Sequence, residues 1–250
     1  MIRARLSELQ VGVMMLTRLP AGQLRDPVPS IAASAWSFPL VGAGIGAILW
    51  GVCAGLLALG VPTAMAAVLT VLAGAMITGG LHYDGLADFA DGIWGGHDIA
   101  RRLEIMRDSR IGSYGVIALI LSIAVQVTGI ATVAGAPAAG AAFVVIAVFS
   151  RLSMLAVLLI LPPARADGLG HSAVGGRLAV ALPGVAVALI AAGALGGAAV
   201  VLAVVMALSA AWVAWVAKAK IGGQTGDVLG ATQLVSEIAG WVVLSALIAG

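Results

Sequence analysis

Residues 138–161 read AAGAAFVVIAVFSRLSMLAVLLIL, twenty-four positions with one charge, Arg151. A helix needs about 20 apolar residues to cross the hydrocarbon core of a bilayer. This run satisfies that length, and it is not alone. Outward from it lie apolar runs at 112–134 and 36–59 on one side, and at 178–195, 197–217 and 228–249 on the other. Another, Thr63–Thr78, is short for a full crossing unless Gly79 to Leu81 extend it. An apolar stretch at 6–19 has only 14 positions, a length typical of interfacial or re-entrant segments. The pattern predicts an all-α polytopic membrane protein with about seven transmembrane helices and a short N-terminal interfacial or re-entrant helix. All 250 residues are expected to form one integral membrane domain.

The composition agrees. The chain is 62% hydrophobic and 10% charged, against roughly 45–50% and 25% in soluble domains. Its net charge is +2, which excludes an acidic solvating chain and a nucleic-acid binder, since the latter needs clustered positive charge. Cys53 is the single cysteine, so no intrachain disulfide or cysteine-based zinc site exists, and a buried small hydrophobe is its natural reading. Arg3 and Arg5 precede no apolar segment ending in a cleavage site, which argues against a cleaved signal peptide.

Charge placement sets an expected orientation. Arg3, Arg5, Arg18, Arg25, Arg101, Arg102, Arg107, Arg110, Arg165, Arg177, Lys218 and Lys220 fall on one side of the spans. The opposite turns, at 60–62, 135–137 and 196, carry none. The positive-inside rule then puts the N-terminus in the cytoplasm, with loops 79–111, 162–177 and 218–227 forming a cytoplasmic active-site face. Gly42, Gly46, Gly51 and Gly55 repeat through the first span, a spacing that lets membrane helices approach closely.

The chemistry concentrates in GGLHYDGLADFADG, residues 79–92. Asp84, Asp88 and Asp91 at i, i+4 and i+7 share a helix arc of about 60°. Like charges there repel, so a compensating partner is expected, and clustered carboxylates suit Mg²⁺ or Mn²⁺ bridging to phosphates. A solvated acidic face is the bland alternative. His82 reads as a metal ligand, a base or an interfacial hydrogen-bonding residue, and His97 is equally ambiguous. Arg101 and Glu104 are spaced to pair, and Arg101 and Arg102 suit orientation and anionic lipid. Arg107 and Arg110, beside Asp108, resemble a pyrophosphate clamp. The loop GGQTGD, residues 222–227, presents Thr225 and Asp227 at a helix start, as caps, as an anion-binding turn, or with Asp227 as a further ligand. The cluster Asp167, Gly168, Leu169, Gly170, His171 and Ser172 is uninformative alone. Arg151 and Glu237 each sit about 15 Å below the polar ends of their helices. Buried intramembrane charges are costly, so the two are expected to pair, either as a structural clamp or as the polar floor of a deep cavity.

Several blocks in order resemble the cobalamin synthase family. They are Leu16-Thr17-Arg18-Leu19-Pro20, Phe38-Pro39-Leu40-Val41-Gly42, Gly80-Leu81-His82-Tyr83-Asp84-Gly85-Leu86-Ala87-Asp88 with Asp91-Gly92, Gly95-Gly96-His97-Asp98, the run from Arg101 to Gly112, Arg151, Gly168-Leu169-Gly170, and Gly226-Asp227-Val228-Leu229-Gly230-Ala231. Tyr83 and Phe89 depart from the family pattern. The resemblance implies an integral bacterial inner-membrane enzyme, dependent on Mg²⁺. It would join adenosylcobinamide-GDP to α-ribazole, or its 5′-phosphate, giving adenosylcobalamin or its 5′-phosphate and GMP. On that expectation Asp84, Asp88 and Asp91 hold metal, Asp227 and His82 are the candidate bases, and Arg107 and Arg110 meet the phosphates. Partners are then the two substrates and membrane lipid, with no nucleic acid, and a homo-oligomer is compatible. The rival readings are a CDP-alcohol phosphotransferase and a transporter or scaffold. The first expects an arginine after Asp-Gly-x-x-Ala and a later Gly-x-x-x-Asp-x-x-x-Asp, both missing here. The second expects polar residues spread along the spans.

Overall fold

The structure, a computed structural model, describes residues 2–166 and 178–249. Arg177 and the cluster from Asp167 to Ser172 lie outside the described residues. The described chain is helical throughout, with no strand. Its helices are α1 (Ile2–Leu16), α2 (Ile31–Ser34), α3 (Phe38–Ala58), α4 (Thr63–Thr78), α5 (Leu81–Gly95), α6 (Ile99–Ile105), α7 (Ser113–Val133), α8 (Ala139–Ile160), α9 (Leu182–Gly193), α10 (Gly197–Ile221) and α11 (Gly226–Ala249).

All seven apolar runs are helical, but among the described residues five helical segments are long and apolar enough to cross a membrane. They are α7, α8, α10, α11 and the continuous segment Ile31–Ala58. The all-α polytopic fold is as expected, and two of the seven expected runs are shorter as helices than their apolar stretches. The α4 run stops at 16 residues because Gly79 and Gly80 both adopt left-handed backbone, φ 65° and 73°. Only glycine takes that conformation cheaply, and two in succession turn the chain by 90° into α5. Counting this bent pair as one broken span gives six. The run at 178–195 is split by a 3-10 turn at Leu178–Ala181, and α9 keeps only 12 residues.

The stretch quoted first becomes α8, the most deeply packed span, with contacts to α3, α9, α10 and α11. Along its contact with α3, a methyl group on Gly42 would meet the Ala147 carbonyl oxygen at 2.6 Å, and one on Gly46 the Phe143 carbonyl oxygen at 2.5 Å. Gly51 and Gly55, in the same periodic stripe, face open space. The stripe is therefore half packing surface. Gly46→Ala is expected to lower stability by about 1–3 kcal/mol through backbone overpacking. Gly51→Ala should leave the melting temperature of the purified protein unchanged or slightly raised. Equal effects at the two positions would contradict this packing.

The short N-terminal helix expected from the sequence is α1, with Ile2, Leu6 and Met14 exposed. It is pinned by Glu8, whose carboxylate accepts hydrogen bonds from Trp36 Nε1 at 2.6 Å and from Arg5 Nη1 at 2.7 Å. Deeper in the bundle, Phe143 packs edge-on against Trp241 with ring centroids 4.8 Å apart, joining α8 to α11.

Candidate active site

The site begins where α5 crosses α11. A methyl group on Gly85 would meet the Asp227 carbonyl oxygen and the Gly230 Cα, both at 3.1 Å. The two backbones touch there because neither position carries a side chain. That contact brings Asp84 and Asp88 of α5 up to Asp227, in the first turn of α11. Asp84 is exposed and Asp88 half-buried. Burial, then the carboxylates of Asp84, Asp227 and Asp91, push the Asp88 carboxyl up to about 7, while the Arg165 guanidinium draws it down. Four acids therefore feel one another across this crossing.

Asp91 does something else. Its two oxygens accept the backbone N–H groups of Gly112, at 2.7 Å, and Gly115, at 2.9 Å. It is buried and anchors the start of α7, where positive backbone dipoles favour a carboxylate. The glycines are needed, since a methyl on either would run into the Asp91 carboxylate. Asp91, expected as a metal ligand beside Asp84 and Asp88, has both carboxylate oxygens engaged by these backbone N–H groups. The three share a face, but about 10 Å of helix axis separates Asp84 from Asp91. Among the described residues no three His, Cys, Asp or Glu side chains form a cation cage.

Two loops hold Asp227 in place. Ala164 N–H donates to the Gln224 carbonyl at 2.8 Å, and Gln224 N–H donates to the Pro162 carbonyl at 2.8 Å. Gly223 lets the two segments of this bridge meet, because any Cβ there would strike the Pro162 carbonyl oxygen. The bridge brings Arg165 Nη1 to 3.9 Å from Asp227 Oδ2. Arg165 Nη2 also donates to the Leu103 carbonyl at 2.9 Å, tying the loop to α6. Thr225 donates to Asp227 Oδ2 at 3.2 Å and accepts from Val228 N–H at 3.3 Å, so it caps α11 and orients the carboxylate together.

Arg107 and Arg165 line one surface cavity of about 550 Å³, with Leu103 and Glu104. Arg110 is absent from it. Its guanidinium grips Asp108 at 2.7 Å on an exposed turn. Arg107, expected beside Arg110, shares this cavity with Arg165 instead. By charge placement alone Arg165 is an orienting charge. Its position just after Pro162 and Pro163, in a loop restricted in backbone freedom, was the available signal.

His82 is also redirected. On α5 it lies 200° around the axis from Asp84 at 100° per residue, so it faces the bundle interior and is not brought to the carboxylates. There it lines a cavity with Arg151 and Glu237, whose Nη1 and Oε2 atoms are 3.1 Å apart. His97 is exposed beside Asp98, which caps α6 by accepting from Arg101 N–H at 2.8 Å. Arg101 and Glu104 pair at 2.8 Å. Arg102 caps the end of α10 through the Lys220 carbonyl at 3.1 Å, a structural use beyond orientation.

Residues 8–245 match the family model described as cobalamin-5-phosphate synthase. Curated relatives named adenosylcobinamide-GDP ribazoletransferase include that of Azorhizobium caulinodans, 42% identical over 88% of each chain. That of Xanthobacter autotrophicus is 45% identical, again over 88% of each. That of Bradyrhizobium diazoefficiens is 38% identical over 95% of this chain and 92% of its own. No solved structure matches the chain. With an acid helix crossing a capped Asp227, and homology along nearly its whole length, the chain belongs to the cobalamin-5-phosphate synthase family.

Proposed function

We propose that the protein is an adenosylcobinamide-GDP ribazoletransferase whose active site is the crossing of α5 and α11. The observation that carries this reading is the convergence of Asp84, Asp88 and Asp227 with Arg165 beside a cavity that also holds Arg107. In the reaction, a ribose hydroxyl of α-ribazole, or of its 5′-phosphate, attacks the phosphorus joined to the cobinamide arm. The bond from that phosphorus to the GMP phosphate oxygen breaks, and GMP departs with the electron pair. Such transfers depend mainly on positioning and charge neutralisation.

The donor set suits Mg²⁺, which is commonly held by one or two carboxylates together with substrate phosphates and needs no all-protein cage. Asp84 and Asp88 would hold it: burial of Asp88 and then the neighbouring carboxylates disfavour its charge, a cost that a cation would offset. When bound, Mg²⁺ neutralises charge on the diphosphate. Asp227, oriented by Thr225 and Arg165, accepts the proton of the attacking hydroxyl. Arg107 and Arg165 meet the phosphate of the leaving GMP, and guanidinium geometry suits that contact. The asymmetry of positive charge supports a site on the cytoplasmic side of the membrane.

The test is GMP release from adenosylcobinamide-GDP by purified protein in lipid vesicles, with and without α-ribazole, beside CMP release from a CDP-alcohol. GMP release that needs both α-ribazole and Mg²⁺ is expected. CMP release alone would replace this reading with the CDP-alcohol one. Arg165→Met is expected to lower kcat/KM about 10²-fold, with Arg165→Lys recovering part of it. Arg110→Met should stay near the parent protein.

A further inference from the structure

The face of α5 opposite its carboxylates looks into a small cavity that no step above uses. His82, Gln126, Arg151, Gln233, Glu237 and Trp241 line it, from α5, α7, α8 and α11. Its volume is about 40 Å³. Several bonds are already made within it. Tyr83 donates to Gln126 Oε1 at 2.7 Å, Arg151 Nη1 donates to Glu237 and to Ser150 at 3.1 Å, and Gln233 Nε2 donates to Ser150 at 3.2 Å. Beyond these, among the described residues, both ring nitrogens of His82, Gln126 Nε2, Arg151 Nε, Gln233 Oε1 and Trp241 Nε1 are buried without a protein partner.

Six such atoms on residues that line one cavity call for a common ligand, because buried polar groups are nearly always hydrogen-bonded. The chemistry selects it. A cation would face the Arg151 guanidinium and the N–H groups of Gln126 and Trp241. An anion would face the Glu237 carboxylate and the Gln233 carbonyl. Neutral water both donates and accepts, and it serves either side of the histidine ring. A site needs about 10–15 Å³ for one water, so this one has room for about two or three.

We propose that this cavity is a built water site, and that its waters bind His82 and thereby fix the rotation of α5. His82 is then a positioning residue for Asp84 and Asp88, although it points away from them. The lever is short, since His82 and Asp84 lie two residues apart on one rigid helix. A rotation of α5 that shifts one face shifts the other equally.

Two measurements test this. In an experimental structure fine enough to show ordered solvent, the cavity should contain two or three peaks, at least one within hydrogen-bonding distance of His82 and a second lining residue. A cavity without solvent overturns the proposal. In vesicles, His82→Phe should lower kcat about 10- to 100-fold, the scale of a small misplacement of reacting groups. The KM for adenosylcobinamide-GDP should stay within about twofold and the melting temperature within a few degrees. His82→Asn, which keeps a donor and an acceptor, should restore most of kcat. An unchanged kcat in His82→Phe, or a loss explained wholly by a lower melting temperature, overturns the positioning role. The kinetic arm rests on the transferase reading. A parent protein that releases no GMP would remove that reading, and the solvent peaks would still decide the water site.

Discussion

Asp84→Asn and Asp88→Asn should each cut α-ribazole-dependent GMP release by about 10²- to 10³-fold or more, with the protein still folded and inserted. Both side chains sit where α5 meets α11, and neither is committed to holding a neighbouring helix. Burial and then the adjoining carboxylates push the Asp88 carboxyl up to about 7, a charge cluster that costs energy unless a cation or substrate phosphate complex uses it. Asp91→Ala provides the contrast. It strips the N–H groups of Gly112 and Gly115 of their acceptor, so it should cost about 0.5–2 kcal/mol of stability. Its loss of activity should follow the loss of folded protein. The check is GMP release per mole of folded enzyme, read beside the melting temperature of each variant. Full activity in either Asn variant would remove the carboxylates from the mechanism.

The second large effect lies within the spans. Arg151 is 3% exposed and its partner Glu237 is 17% exposed, with their charged atoms 3.1 Å apart. Glu237→Leu leaves a buried guanidinium without its counter-charge, which typically costs about 3–5 kcal/mol. Arg151→Met should cost a similar amount by stranding the carboxylate. The double variant is expected to recover much of either loss, since replacing both members of a buried pair with apolar groups is often close to neutral. The four melting temperatures form a thermodynamic cycle. Additive losses would show that the two residues stabilise the bundle independently.

What was readable in the sequence divides along a physical line. Membrane spans announce themselves through composition, because hydrocarbon excludes polar side chains whatever the tertiary arrangement. The intramembrane depth of Arg151 and Glu237 was likewise enough to suggest their pairing, since few alternatives exist for a charge at that level. The breaks at Gly79-Gly80 and at Leu178–Ala181 were less visible. Apolar character continues through both, while backbone conformation decides where a helix ends. The site shows the same division. Helical periodicity placed Asp84, Asp88 and Asp91 on one face, but it carries no information on which neighbour each will meet. Gly112 and Gly115 claim Asp91 from more than twenty residues away. The partnership of Arg165 with Asp227 depends on a two-bond bridge between distant loops, which no local pattern encodes.

The central claim is that the acid helix and the start of α11 form one phosphoryl-transfer site. The most direct measurement is the stoichiometry of products made by purified protein in vesicles from adenosylcobinamide-GDP, α-ribazole and Mg²⁺. One GMP per molecule of newly formed adenosylcobalamin, lost together in Asp88→Asn, is the predicted result. GMP released without corrinoid joined to ribazole, or product formation that survives Asp88→Asn, would contradict it.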